Sequence, residues 1–130
     1  MVELMESPWP VPAVLVSIAE MAWRFIRANG GAFFVTSDNP ACFHEYYGFM
    51  KPESEFTFPL AAQIALFGCW QRHVGAPKIW LDKRVVREIN RRTIKEATRF
   101  IFSPGRADWI HTVAQKREPY ISLIRWKRSV

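Results

Sequence analysis

Hydrophobic positions along the chain switch between helical and strand periods. Between about Ala13 and Ala28, residues Val14, Leu15, Ile18, Ala22, Phe25 and Ile26 recur at three- and four-residue spacing, which predicts a first helix. Asn29-Gly30-Gly31 supplies its left-handed stop. Met21 and Trp23 widen its greasy sector beyond what a helix covered on one side requires. "AFFVT", Ala32 to Thr36, then predicts a strand that ends at Ser37-Asp38-Asn39-Pro40. After an aromatic loop over 41–55, "EFTFPL" (Glu55 to Leu60) and "QIALFGCW" (Gln63 to Trp70) predict two more strands. Pro59 cannot donate to a ladder, so the first of these is an edge strand or carries a bulge. "KIWL" is a candidate short fourth strand.

The second helix is predicted from Lys83 to about Phe102, with Asp82 as N-cap and Ser103-Pro104-Gly105 as its end. Val85, Val86, Ile89, Thr93, Ala97, Phe100 and Ile101 share one side of it, and Arg84, Arg87, Arg91, Lys95 and Arg99 share the other. A last strand is permitted at Tyr120–Trp126. The proline-rich residues 1–12 form an extended arm and 127–130 a basic tail. The pattern is α+β: a small antiparallel sheet of three to five strands, an N-terminal helix, and a long basic amphipathic helix across one face.

Length turns this into a single domain, since 130 residues support one hydrophobic core and not two. An apolar fraction of 49% excludes a disordered chain, and 15% aromatics on so small a domain favours an interface or groove. Glu3 and Glu6 stand where an export signal needs basic residues, and the run Val11–Ala19 meets Glu20 and Arg24 too soon to cross a bilayer. Cys42 and Cys69 form no C-x-x-C pair. A cytoplasmic protein with reduced thiols is expected.

Charge adds an asymmetry. Residues 1–71 hold three basic and seven acidic side chains, net −4, whereas 72–130 hold fifteen basic and five acidic, net +10. A basic face on the C-terminal half would meet an anionic partner, either nucleic acid or an acidic protein surface. Arg84, Arg87, Arg91, Lys95 and Arg99 are its candidates, with Tyr46, Tyr47, Trp80 or Trp126 available for stacking. The plainer alternative is a solvated helix face partly paired with Glu88 and Glu96.

Candidate chemistry is sparse. Asp38 at a strand end reads as a general base or metal ligand with Asn39 beside it, or as a turn residue that binds backbone N–H groups. A lone acid without partners makes no catalytic site. Asn90 sits at the edge of the apolar sector of the second helix, where a buried amide must find partners. His44, His73 and His111 show no metal-ligand spacing, and Asp38, His44 and Glu45 would meet only if the loop folded back. No metal or cofactor is expected. Gly30-Gly31 precedes a strand, the reverse of a phosphate cradle.

"FFVTSDNP" (Phe33 to Pro40), "FPL" (Phe58 to Leu60), Asn90 with Ala97, and Ser103 together resemble a mainly bacterial domain-of-unknown-function family, number four-two-three-eight. Its pattern is an aromatic helix, a strand reading F-[IV]-T-S-D-N-P, an F-P-L strand, and a helix with N-x-x-x-x-x-x-A ending near a serine. The likeness runs from about Trp23 to Ser103. It implies the same α+β unit and a polar cluster of Asp38, Asn39 and Asn90, and it conveys no activity. It also implies a helical N-terminal half that this chain lacks, which would leave Trp9, Leu15, Met21 and Trp23 as an uncovered protein-binding face. The reading that results is a non-catalytic binding protein, for example an inhibitor of a nucleic-acid-handling complex of the kind mobile elements encode. It would associate with itself or with another protein through the first helix. Its rivals are a hydrolytic enzyme or remnant built on Asp38, Asn39 and Asn90, and a nucleic-acid-binding module.

Overall fold

Alternation in the aromatic and β-branched runs builds most of the architecture. In the computed structural model, which describes residues 20–44, 47–48, 51–70, 83–116 and 118–123, the elements among the described residues are six strands and two helices. The strands are β1 (Ala22–Arg27), β2 (Thr36–Ser37), β3 (Cys42–Phe43), β4 (Glu55–Ala61), β5 (Ile64–Cys69) and β6 (Ile101–Phe102). The helices are α1 (Lys83–Glu96) and α2 (Trp109–Gln115). Four strands form an antiparallel sheet in the order β1-β5-β4-β3, and β2 pairs with β6 as a separate two-stranded ladder. The fold is α+β, as the periodicity predicts.

β4 and β5 make a tight hairpin, and the expected irregularity at Pro59 is a bulge between Pro59 and Ala61. β3 pairs only with Phe56 and Thr57, so Pro59 lies beyond its reach. The register sets Ala65, Phe67 and Cys69 of β5 on one face beside Glu55 and Thr57 of β4, and all five are fully buried. Val85 and Ile89 of α1 close over that face, joined by Phe34 and Leu123. The opposite face is aromatic. Trp23 packs edge-on against Phe56 (ring centroids 5.5 Å), and Phe43 meets Phe56 at 4.9 Å. Gly68 lies opposite Trp23, whose ring would stand 2.6 Å from any added Cβ, so a side chain at 68 would force that ring to shift.

Several expectations are corrected. The predicted first helix is a strand over Ala22–Arg27, paired along its whole length with β5. Ala22, Arg24 and Ile26 alternate with Trp23, Phe25 and Arg27, and the available partner strand resolves the ambiguous period in favour of β. Its predicted earlier residues, 13–19, lie outside the described residues, as do Asp82 and "KIWL". The second helix stops at Glu96, and Ile101–Phe102 is a strand instead of a last helical turn. The first predicted strand enters a ladder only at Thr36–Ser37. Residues 120–123 join no strand, residues 124–126 of that predicted strand lie outside the described residues, and α2 is a helix that was not among the predicted elements. Among the described residues no helix is long and apolar enough to cross a membrane.

Candidate functional site

Two polar constellations flank α1. The first is a seam between α1 and the segment Phe33–Asn39. Asn90 holds the segment where ladder bonds are missing: its Oδ1 accepts from the Val35 N–H (3.0 Å), and its Nδ2 donates to the Phe33 carbonyl (2.9 Å). Farther on, Asn39 Nδ2 donates to the Glu96 carbonyl (3.1 Å) at the end of α1. Asp38 accepts from the Thr98 hydroxyl (2.6 Å) and from the N–H groups of Thr98 (3.0 Å) and Arg99 (2.9 Å). The Asp38 N–H itself donates to the Phe100 carbonyl (3.2 Å), which starts the β2–β6 pairing. These bonds explain why the helix ends at Glu96: the corner satisfies groups that a further turn would have used internally. The Thr98 hydroxyl, with the N–H groups beyond it, holds the Asp38 carboxyl below its ordinary value.

Asp38, Asn39 and Asn90 therefore lie along one line of contact, each spent on backbone groups. Asp38 is exposed on this seam. Its lowered pKa favours the ionised form, which accepts all three bonds and is poorly suited to take a proton near neutrality.

The second constellation was not visible in the sequence pattern. Arg92 is fully buried on the inner face of α1, and its Nη2 lies 2.7 Å from Glu55 Oε1 on β4. Its Nε donates to Glu88 Oε2 (3.0 Å) one turn earlier, and Arg91 Nη1 reaches Glu88 Oε1 (2.8 Å). Burial pushes the Glu88 carboxyl upward, against the opposing pull of Arg92 and Arg91. Val85, Glu88, Ile89, Arg92 and Thr93 form the buried stripe at spacings of three and four. Glu88 and Arg92 thus occupy core positions of an otherwise apolar period, and that was the available signal. A charge is found fully buried only when paired. What could not be read was Glu55, 37 residues away from Arg92.

This cluster grips the segment Glu118–Leu123. Glu88 Oε2 accepts from the Ile121 N–H (3.1 Å), and both Glu55 oxygens accept from the Leu123 N–H (3.0 Å each). Arg92 Nη2 donates to the Ile121 carbonyl (2.7 Å), and Arg91 Nη2 donates to the carbonyls of Glu118 (3.1 Å) and Pro119 (3.0 Å). Tyr120 is buried beside them, with its hydroxyl donating to Glu96 Oε1 (2.7 Å) and Lys95 Nζ 4.9 Å from its ring centre.

A cleft of about 280 Å³ opens where the two sheets meet, lined by Phe34, Thr36, Pro59, Leu60, Phe102 and Pro104 among others. Leu60 and Phe102 are each half exposed at its walls, and Phe100 is equally exposed nearby.

The predicted basic stripe is divided. Arg84, Arg87 and Lys95 are exposed on α1, whereas Arg91 is drawn into the buried cluster and Arg99 lies past the helix end, over the Phe100 ring at 5.5 Å. Of the predicted protein-binding face, Met21 is buried and Trp23 covers Gly68, while Trp9 and Leu15 lie outside the described residues. His44 is buried between Tyr47 and Tyr120 (ring centroids 4.8 and 5.6 Å), and Glu45 and His73 lie outside the described residues. Among the described residues no three His, Cys, Asp or Glu side chains gather as metal ligands. Cys42 and Cys69 are buried thiols outside any disulfide, and burial raises the Cys42 thiol to about 12, so it is no nucleophile at neutral pH.

A family model described as "protein of unknown function (DUF4238)" matches residues 11–106. No curated protein and no solved structure matches the chain. That family match takes in the Asp38–Asn90 seam, the buried Glu55–Arg92 pair and the apolar cleft. The chain belongs to the DUF4238 family of proteins of unknown function.

Proposed function

We propose that this chain is a non-catalytic binding protein whose contact surface is the apolar cleft between the two sheets. The observation that carries the reading is the cleft itself, with Leu60, Phe100 and Phe102 each about half exposed around it (50%, 54% and 55%). Large side chains left in water beside a concave apolar surface favour a ligand that covers them. The engagement of Asp38, Asn39 and Asn90 with backbone groups supports a structural role for that cluster, not a hydrolytic one. The finer reading is a cytoplasmic inhibitor of a nucleic-acid-handling complex. It rests on the +10 charge of residues 72–130 and on the exposed Arg84, Arg87 and Lys95.

An apolar dye such as anilinonaphthalene sulfonate tests the cleft. Saturable fluorescence enhancement is expected for the chain and is expected to fall for Phe102→Ser and Leu60→Ser; equal enhancement in all three refutes the assignment. Anisotropy with labelled oligonucleotides at about 50 and about 200 mM salt tests the basic surface. Affinity indifferent to salt would remove phosphate contacts from the reading.

A further inference from the structure

The ladder of β2 and β6 ends in an open edge. Its register pairs Thr36 with Phe102 and Ser37 with Ile101, and the Asp38 N–H donates to the Phe100 carbonyl (3.2 Å). Along an antiparallel pair, successive residues turn their backbone groups toward the neighbouring strand and away from it by turns. Phe100 and Phe102 therefore face β2, and the N–H and carbonyl of Ile101 point to the other side of β6. Among the described residues no strand lies on that side, and neither of these Ile101 groups has a hydrogen-bond partner there.

The side chains beside this edge are as little covered as its backbone. Phe100 and Phe102 stand on one face of the strand with ring centres 6.4 Å apart, and both are about half exposed. That separation is close to the roughly 6.6 Å between alternate residues of an extended chain. Phe102 is also a wall of the apolar cleft, so the edge and the cleft share one surface. Natural edge strands are guarded by lysine, proline or a bulge. Here Pro104 ends the edge, but Ile101 itself carries no such guard. Charge supplies a second observation. Arg99 is exposed with its guanidinium over the Phe100 ring (5.5 Å), and among the described residues no carboxylate forms an ion pair with it. Asp38 takes only its N–H, and spends its other bonds on Thr98.

We propose that the outer edge of β6 docks an extended segment of a partner protein, which joins the β2–β6 ladder as a third strand. The partner residue opposite Ile101 exchanges two main-chain hydrogen bonds with it, and the residues on either side lay apolar side chains on Phe100 and Phe102. An acidic residue at the Phe100 end meets Arg99. The occupant is thus an extended peptide with apolar residues two positions apart and an Asp or Glu at one flank. Nucleic acid suits this edge less well, because its sugar–phosphate chain offers no N–H to the Ile101 carbonyl. The inference names the partner class for the apolar contact surface and rests on that reading.

The test selects random phage-displayed heptapeptides on the full chain. Enrichment of apolar residues two positions apart, with an acidic residue at one flank, is expected. A labelled peptide of the enriched consensus is then titrated by anisotropy. N-methylation of the residue between its two apolar positions removes the N–H that Ile101 accepts, and is expected to weaken binding at least about ten-fold. Phe100→Ser, a change at an exposed position, is expected to weaken it by a similar factor. Arg99→Glu is expected to weaken it less, and to do so more at low salt than at high. Saturable dye binding with no enriched peptide, or with peptides of helical three- and four-residue spacing, overturns this inference and leaves the cleft as a contact surface. Loss of the dye signal as well ends both readings. Equal affinity for the N-methylated and parent peptides overturns the added strand. A dimer in light scattering that Phe100→Ser abolishes assigns the edge to a second copy of the chain, and a labelled oligonucleotide that displaces the consensus peptide assigns it to nucleic acid; either overturns the partner strand as its occupant.

Discussion

Two polar constellations fasten α1 to the rest of the molecule, and they do so by opposite means. The Asp38–Asn39–Asn90 seam uses short side chains close to their targets, with Asp38 and Asn39 near solvent, and each bonds backbone at the end or edge of an element. The Glu55–Glu88–Arg92 cluster uses long charged side chains in the core, and it bonds both itself and the segment Glu118–Leu123. The seam sets where the chain turns. The cluster sets which distant pieces meet. Solvent screens the Asp38 and Asn39 bonds of the first and leaves them replaceable by water; the second has no such alternative, so the penalty for breaking it is larger.

The largest expected effect follows from that difference. Arg92→Leu removes the guanidinium shared by the buried Glu55 and Glu88 carboxylates and is expected to destabilise the fold by about 3–5 kcal/mol in urea denaturation. The loss should shrink on acidification. The folded-state pKa of Glu88 already lies above its ordinary value, so stability tied to its protonated form is present at low pH and lost as pH rises through that raised value. A loss below about 1 kcal/mol would show that the cluster is no more than a surface pair in its energetics.

Asn90→Leu is next, and it probes the one buried member of the seam. It orphans the Val35 N–H and the Phe33 carbonyl, and a loss of about 2–4 kcal/mol is expected from thermal or urea unfolding. An effect equal to that of Arg92→Leu would erase the distinction between the two constellations. Gly68→Ala offers a purely apolar reference. The new methyl meets the Trp23 ring at 2.6 Å, which predicts a loss of about 1–3 kcal/mol and a shift in tryptophan emission. Combining it with Trp23→Leu should give less than the sum of the two single losses, because the clash is then gone.

Asp38→Asn should have the smallest effect, and its signature is pH dependence. The pKa of Asp38 is lowered from 3.8, so its stabilising contribution is complete above that value and disappears as pH falls through the lowered native one. The variant should be slightly less stable than the parent at pH 7, and the two urea midpoints should converge in strong acid. Parallel curves at every pH would take Asp38 out of the seam.

Much of the seam was legible. Ser37-Asp38-Asn39-Pro40 is turn chemistry on its face, and Asn90 stood out as an amide at the edge of an apolar stripe. Their mutual involvement was implied by the family pattern, not by spacing. The buried cluster was illegible for a physical reason: charged residues at core positions of a helix are read as surface until a partner is known, and Glu55 lies on a different element. The basic stripe misplaced Arg91 for the same reason, since one register of a helix looks like another until the packed face is known.

By itself the sequence determined what depends on neighbours a few residues apart: the α+β class, the β4–β5 strands with an edge or an irregularity at Pro59, the corner after Thr36, and a helix from Lys83. Only the tertiary structure decided that Ala22–Arg27 is a strand, because β5 offers it a ladder, and that α1 stops at Glu96, because the corner captures the groups beyond it. It also decided that Glu55 receives Leu123, 68 residues later. Local propensities act over one or two turns of chain. Burial and charge pairing act between whatever surfaces the fold brings together, and in this protein they outweigh propensity wherever the two disagree.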